Sequence, residues 1–163
     1  MFLYLPARLA WFRNNAPAIA DRVAKALSFS DWATWRMTGG EAKSTEPSQA
    51  AEMLSYDVTR GSWSDALCDA LGTPRKILPD LVRQASPVGA LTETAAREFG
   101  LHTGTPVVPA GGDTQCAALG IGATEPGSVA IVAGTTMPVV QVASSPLIDP
   151  ERRLWTSPHA VPG

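Results

Sequence analysis

The sequence predicts an α/β protein, and three observations carry that prediction. Capped helical segments dominate the chain up to residue 100. After residue 104 the pattern becomes strand, helix, strand, turn, strand. A Gly- and Pro-bearing stretch, "GATEPG" at 122–127, then separates the helix from the two later strands and marks a domain junction.

The elements follow in order. Residues 6–15 and 17–27 show helical periodicity, with Leu9, Trp11 and Phe12, then Ile19, Val23 and Leu27, as apolar stripes, and Pro17 stands where a second helix begins. "SFSDWATWRMTGG" offers Ser28 or Ser30 as a cap and Gly39-Gly40 as a stop. The polar, mixed run "EAKSTEPSQAAEMLSYDV" reads as an irregular excursion ending in a short helical or extended piece. "SWSDALCDALG" is a helix capped by Ser62 or Ser64 and stopped at Gly72. "TPRKILPDL" is a short helical turn between prolines, and "LTETAAREFG" a helix with Thr92 as cap, Glu93 in its first turn and Gly100 as stop. "TPVVPA" reads as a short buried strand, 113–121 as a helix, and "SVAIVAGTTMPVVQVA" as two strands about a Gly-Thr-Thr turn.

Composition narrows the function classes. With 163 residues, 45% hydrophobic and 17% charged, the chain can bury a core and is globular rather than disordered. A net charge of −2 with 13 scattered Lys and Arg residues gives no footprint for nucleic acid or a membrane surface. Cys68 and Cys116 have no Cys or His nearby at metal-ligand spacing and read as free core thiols of a reducing compartment. The opening "MFLYLPARLAWF" is interrupted by Pro6 and Arg8 and suits neither a membrane span nor a signal peptide, so the expected location is the cytoplasm.

The chemistry concentrates in "PVVPAGGDTQCAALGIG", where a Gly-Gly turn places Asp113 at the start of a small-residue apolar helix. Asp113 reads either as an N-cap or as a general base at the mouth of a cleft, with glycines that let a ligand approach the backbone. The residues alone leave both open. The Gly134, Thr135, Thr136 turn offers backbone N–H groups and two hydroxyls suited to phosphate oxygens, or else is a β-turn in which glycine supplies a positive φ. Trp11, Trp32, Trp35, Trp63 and Trp155 read as core, and His102 and His159 as structural. No Ser/His/Asp order, paired-Cys motif or nucleotide fingerprint is present.

"GTPVVPAGGDTQCAALGIG", "PGSVAIVAGTT" and "DWATWRMTGG…STEPSQAAEMLSYDV…WSDALCDALG" together resemble the middle of an FGGY carbohydrate kinase, over essentially the whole chain and in the family's order. The resemblance implies the two-lobed actin/hexokinase ATPase fold, each lobe ribonuclease-H-like. Residues 1–122 would be the later part of the first lobe, and 123–163 the opening strands of the second. It implies Asp113 as the catalytic base and as a substrate contact. Thr114 or Gln115 stands where some members contact the sugar, and Gly134, Thr135 and Thr136 form the turn that touches ATP phosphates, with Mg²⁺ as the accompanying metal. The family's Asp-x-Gly-Thr strand-turn and its C-terminal Gly-rich adenosine motif are not in the chain, which implies a central fragment with little activity alone. The implied reaction moves the ATP γ-phosphoryl group to a hydroxyl of a ketose or polyol, a pentulose first and the autoinducer-2 kinase substrate second. The expected partners are that small molecule and a second copy of the chain as a homodimer. The rival reading is a non-catalytic module that binds a sugar or a partner but no ATP.

Overall fold

The computed structural model describes residues 4–161. Helix α1 (Leu5–Asn15) carries Pro6 in its first turn, and the single turn α2 (Pro17–Ala20) begins at Pro17, positions where a missing N–H costs nothing. The second helix expected over 17–27 ends at Ala20. Beyond it the backbone and side chains bond elsewhere: Ala26 N–H donates to the Ile77 carbonyl at 2.8 Å and Lys25 Nζ to the Leu78 carbonyl at 2.7 Å. These distant partners replace the local helical ones.

Helix α3 (Phe29–Met37) opens with a full capping box, in which Ser28 Oγ accepts the Asp31 N–H and Asp31 Oδ2 the Ser28 N–H, each at 3.1 Å. Ser28, not Ser30, is therefore the cap, a feature worth about 1 kcal/mol. The run read as an irregular excursion is more ordered than expected: strand β1 (Ser44–Thr45), helix α4 (Pro47–Glu52) and strand β2 (Tyr56–Asp57). β2 pairs antiparallel with β3 (Ser62–Trp63). Helix α5 (Asp65–Leu71) is capped by Ser64 and ends on the left-handed Gly72. A 3₁₀ turn (Arg75–Ile77) leads to β4 (Asp80–Leu81), which pairs parallel with β1.

Strand β5 (Gly89–Ala90) and strand β6 (Pro106–Val107) pair antiparallel around helix α6 (Glu93–Phe99), whose cap is Thr92. Helix α7 (Asp113–Gly120) follows, then the antiparallel hairpin of β7 (Val129–Ile131) and β8 (Val139–Gln141). Among the described residues every strand has one partner, so the ladders are two-stranded.

Three apolar clusters hold these pieces. The first joins Ala50, Ala51, Met53, Tyr56, Trp63, Cys68 and Leu78. Trp63 donates Nε1–H to the Pro79 carbonyl at 2.9 Å and meets Tyr56 edge-on, with ring centroids 6.0 Å apart, so its polar edge is satisfied inside the core. Leu91, Ala95, Ala96 and Val107 form the second, backed by Met37, and Ala118, Ala123 and Ala130 the third, which packs α7 against β7. The tryptophans are not uniformly core: Trp11, Trp32 and Trp155 stand about half exposed. Cys68 is buried, Cys116 only half-buried, and both are free thiols. No helix among the described residues is long and apolar enough to cross a membrane.

Candidate functional site

Glu46 starts the site. Its carboxylate is 1% exposed and caps α4, ahead of Pro47 at the first helical position. Oε1 accepts from the Gln49 N–H and the Ser48 hydroxyl, both at 2.6 Å, and Oε2 accepts from the Ser48 N–H at 2.8 Å. The Ser48 oxygen in turn accepts the N–H of Gly112 at 2.8 Å, 64 residues along the chain. Gln49 Nε2 reaches the Gly111 carbonyl at 3.5 Å. The first turn of α4 thus holds the Gly-Gly turn from one side.

The two glycines are constrained differently. Gly111 has φ +153°, and a Cβ on it would stand 3.2 Å from Ser48 Oγ, 3.4 Å from Cys116 Sγ and 3.5 Å from Ala160 Cβ. A Cβ on Gly112 would run into Gln115 Oε1. At Gly111 the positive φ and the crowding by three segments both favour glycine, whereas at Gly112 the Gln115 side chain would have to turn aside.

Asp113 opens α7 and is exposed. The N-cap expectation for it is incorrect: Gly112 holds the cap position, and α7 has no side-chain cap. Asp113 sits one residue inside, in the first turn, where its charge complements the helix dipole. Its Oδ1 accepts the Thr114 N–H at 2.6 Å. Neighbouring groups register its charge. Burial first, and then the Asp113 carboxylate, push Glu52 above the usual carboxylate range. Burial, then Glu46, then Asp113 push the Cys116 thiol up as well.

The far side of the turn is the 157–160 stretch. Gln115 Nε2 donates to Ser157 Oγ at 3.2 Å, and Gln84 Nε2 to the His159 carbonyl at 2.6 Å. His159 Nδ1 accepts the Val161 N–H at 3.0 Å, while His159 Nε2 is buried without a partner among the described residues. His102 is exposed and acts through its carbonyl, which accepts from Thr105.

The structure therefore brings Asp113, Thr114 and Gln115 together on one turn. Gly134, Thr135 and Thr136 lie at the tip of the β7–β8 hairpin, exposed, and no hydrogen bond or ion pair among the described residues joins them to Asp113. Gly134 is not in a positive-φ conformation, so the β-turn that would need one is absent. A Cβ on Gly134 would meet only the Thr136 carbonyl, at 3.4 Å, leaving the backbone open to a ligand. No group of three or more His, Cys, Asp or Glu side chains among the described residues could hold a metal.

Glu46 and Ser48 escape a reading of the sequence, because "EAKSTEPSQ" is polar and resembles a loop. The signal that could have found them is an acceptor side chain directly before Pro at a first helical position.

Comparison with known proteins agrees with this architecture. The model of the N-terminal domain of the FGGY family of carbohydrate kinases matches residues 2–120. The Bacillus subtilis (strain 168) protein described as sugar kinase YoaC is 34% identical over 161 residues, 99% of this chain and 32% of its own length. Autoinducer-2 kinase of Klebsiella pneumoniae is 34% identical over 158 residues, 96% of this chain and 29% of its own length. Xylulose kinase from Rhodospirillum rubrum superposes with a TM-score of 0.88 at 27% identity, over 100% of this chain and 33% of that one. Plasmodium falciparum glycerol kinase, solved with ADP, shares the fold at 19% identity with a TM-score of 0.72, over 82% of this chain and 27% of that one. The chain thus spans about a third of the length of the curated relatives it matches, its neighbours are sugar kinases of the actin/hexokinase ATPase fold, and it belongs to the FGGY family of carbohydrate kinases.

Proposed function

We propose that this chain supplies the base-bearing part of an ATP-dependent carbohydrate kinase, with Asp113 as the general base. The observation that carries the proposal is an exposed carboxylate set in the first turn of α7 by a glycine turn that two other segments hold from either side. The backbone that carries the group is held, while the carboxylate itself is open to a ligand. Asp113 would accept the proton of a sugar hydroxyl as that oxygen bonds to the γ-phosphorus of ATP, while ADP leaves with the electron pair of the broken P–O bond. Thr114 and Gln115, one and two positions further along α7, are the candidate sugar contacts.

Gly134, Thr135 and Thr136 are the candidate phosphate contacts, supported by the open backbone at Gly134 and by the two hydroxyls beside it. Bound ATP would supply the phosphoryl group. Mg²⁺ would accompany the nucleotide, and no ligand to it is assigned among these residues. The lobe boundary is proposed near residue 122, in support of which the N-terminal-domain match ends at 120. A pentulose is the first substrate class, in keeping with the xylulose kinase likeness, and the curated autoinducer-2 kinase relative at 34% identity favours that class as the second reading. Cytoplasmic location and a homodimer are further expectations of the same proposal.

The test is coupled ADP release by a polypeptide that joins these residues to the family's two further nucleotide motifs, which the chain alone lacks, offered a panel of pentuloses, polyols and autoinducer-2. Sugar-dependent turnover within the usual range of about 1–100 s⁻¹ for kinases is expected. Saturable sugar binding with no ATP binding and no ADP release would favour the non-catalytic module instead.

A further inference from the structure

We propose that Ser48, its proton fixed by Glu46, is a positioning residue that sets the direction in which Asp113 presents its carboxylate; this rests on Asp113 being the base. Three features point there. First, a carboxylate only accepts, so the single Ser48 hydroxyl proton is committed to Glu46 Oε1 at 2.6 Å, and the Ser48 lone pair is left to face the Gly112 N–H at 2.8 Å. The chain Gly112 N–H, Ser48 O–H, Glu46 carboxylate runs in one direction only.

Second, Gly112 is the N-cap residue of α7, and that helix lacks any side-chain cap of its own. The register of its first turn, and so of Asp113, is set from α4 rather than locally. Third, Glu46 is buried, and no ion pair of the described residues involves it; its compensation is three N–H and O–H donors. A buried carboxylate held without a cation is costly, whereas a serine or asparagine would cap α4 as well at lower cost. A cap alone leaves the buried charge unexplained. Orientation of the Ser48 hydroxyl explains it.

The closing experiment has two arms. In the chain itself, amide hydrogen exchange read by NMR at Gly112 should speed up at least tenfold in Ser48→Ala, and in Ser48→Cys, which refills the space with a poor hydrogen-bonding group. Unchanged exchange in both overturns the proposal, whatever Asp113 does. In the polypeptide that turns over sugar, both variants should lower kcat by on the order of 10²-fold, as a misplaced reacting group does, with KM for ATP unchanged and the melting temperature within a few degrees. A kcat within twofold of wild type, alongside faster Gly112 exchange, also overturns it. Asp113→Asn is the control: if that variant keeps full activity, the base assignment has failed, and the exchange arm alone decides whether the Ser48 bond holds the turn.

Discussion

At the scale of single residues, two buried or crowded positions give direct tests. Asp31 is 3% exposed within its capping box, and burial, opposed by its bonds with Ser28, holds its carboxyl above the ordinary value. A raised folded value means that the stability from this group is complete below about pH 4, its unfolded range, and is lost as pH rises through the folded value. Asparagine keeps an oxygen for the Ser28 N–H and has no charge to bury. The melting temperature of Asp31→Asn relative to wild type should therefore improve as pH rises from about 4 and level off once the folded value is passed; a difference that narrows as pH rises would contradict the burial argument. At Gly111, with φ +153° and neighbours 3.2–3.5 Å from where a methyl carbon would stand, alanine meets both backbone strain and crowding. The expected cost of Gly111→Ala is about 1–3 kcal/mol in denaturant unfolding, and a loss under about 0.5 kcal/mol would show that the turn relaxes freely.

At the scale of elements, local chemistry is legible wherever a cap or stop is written into the sequence. Ser28, Ser64, Thr92, Gly72 and Gly100 all sit at the helix ends that their types predict. Elements held by distant partners are not legible: 23–27 forgoes a helix for bonds to Ile77 and Leu78, and α4 hides in a polar run because its cap is a buried glutamate. The β7–β8 hairpin is readable as two strands, but its setting is not. Val129, Ile131 and Val139 are each more than half exposed on one face while Ala130 is buried on the other. A lone two-stranded ladder is marginal in water. Amides of β7 and β8 should thus exchange faster than those of α4 and α6, and equal protection at a concentration where the chain is monomeric would contradict this.

At the scale of the whole molecule, the Gly-Gly-Asp turn stands out in the sequence because glycines beside a helix-opening carboxylate are unusual for a simple cap. Its surroundings need three dimensions: Ser48, Gln49, Ser157 and Ala160 are 42 to 64 residues from their partners in the turn or touch it only through space. The same limit applies to the phosphate side. Nothing local to Gly134, Thr135 or Thr136 says what they face, so Thr135→Ala is the appropriate probe. It should raise KM for ATP severalfold without altering the melting temperature, and an unchanged KM would remove that residue from the nucleotide contacts.

The measurement closest to the central claim is the kcat and melting temperature of Asp113→Asn in the polypeptide that turns over sugar. Asparagine retains an oxygen for the Thr114 N–H that Asp113 Oδ1 now accepts at 2.6 Å. Loss of the first-turn charge should cost no more than about 1 kcal/mol. The amide cannot take up a hydroxyl proton at neutral pH, a contribution typically worth about 10²–10⁴-fold in rate. A fall in kcat of that size with ATP affinity and melting temperature nearly unchanged is the predicted result. Near wild-type kcat with the same melting temperature would mean that Asp113 serves only the helix dipole and that the base lies elsewhere.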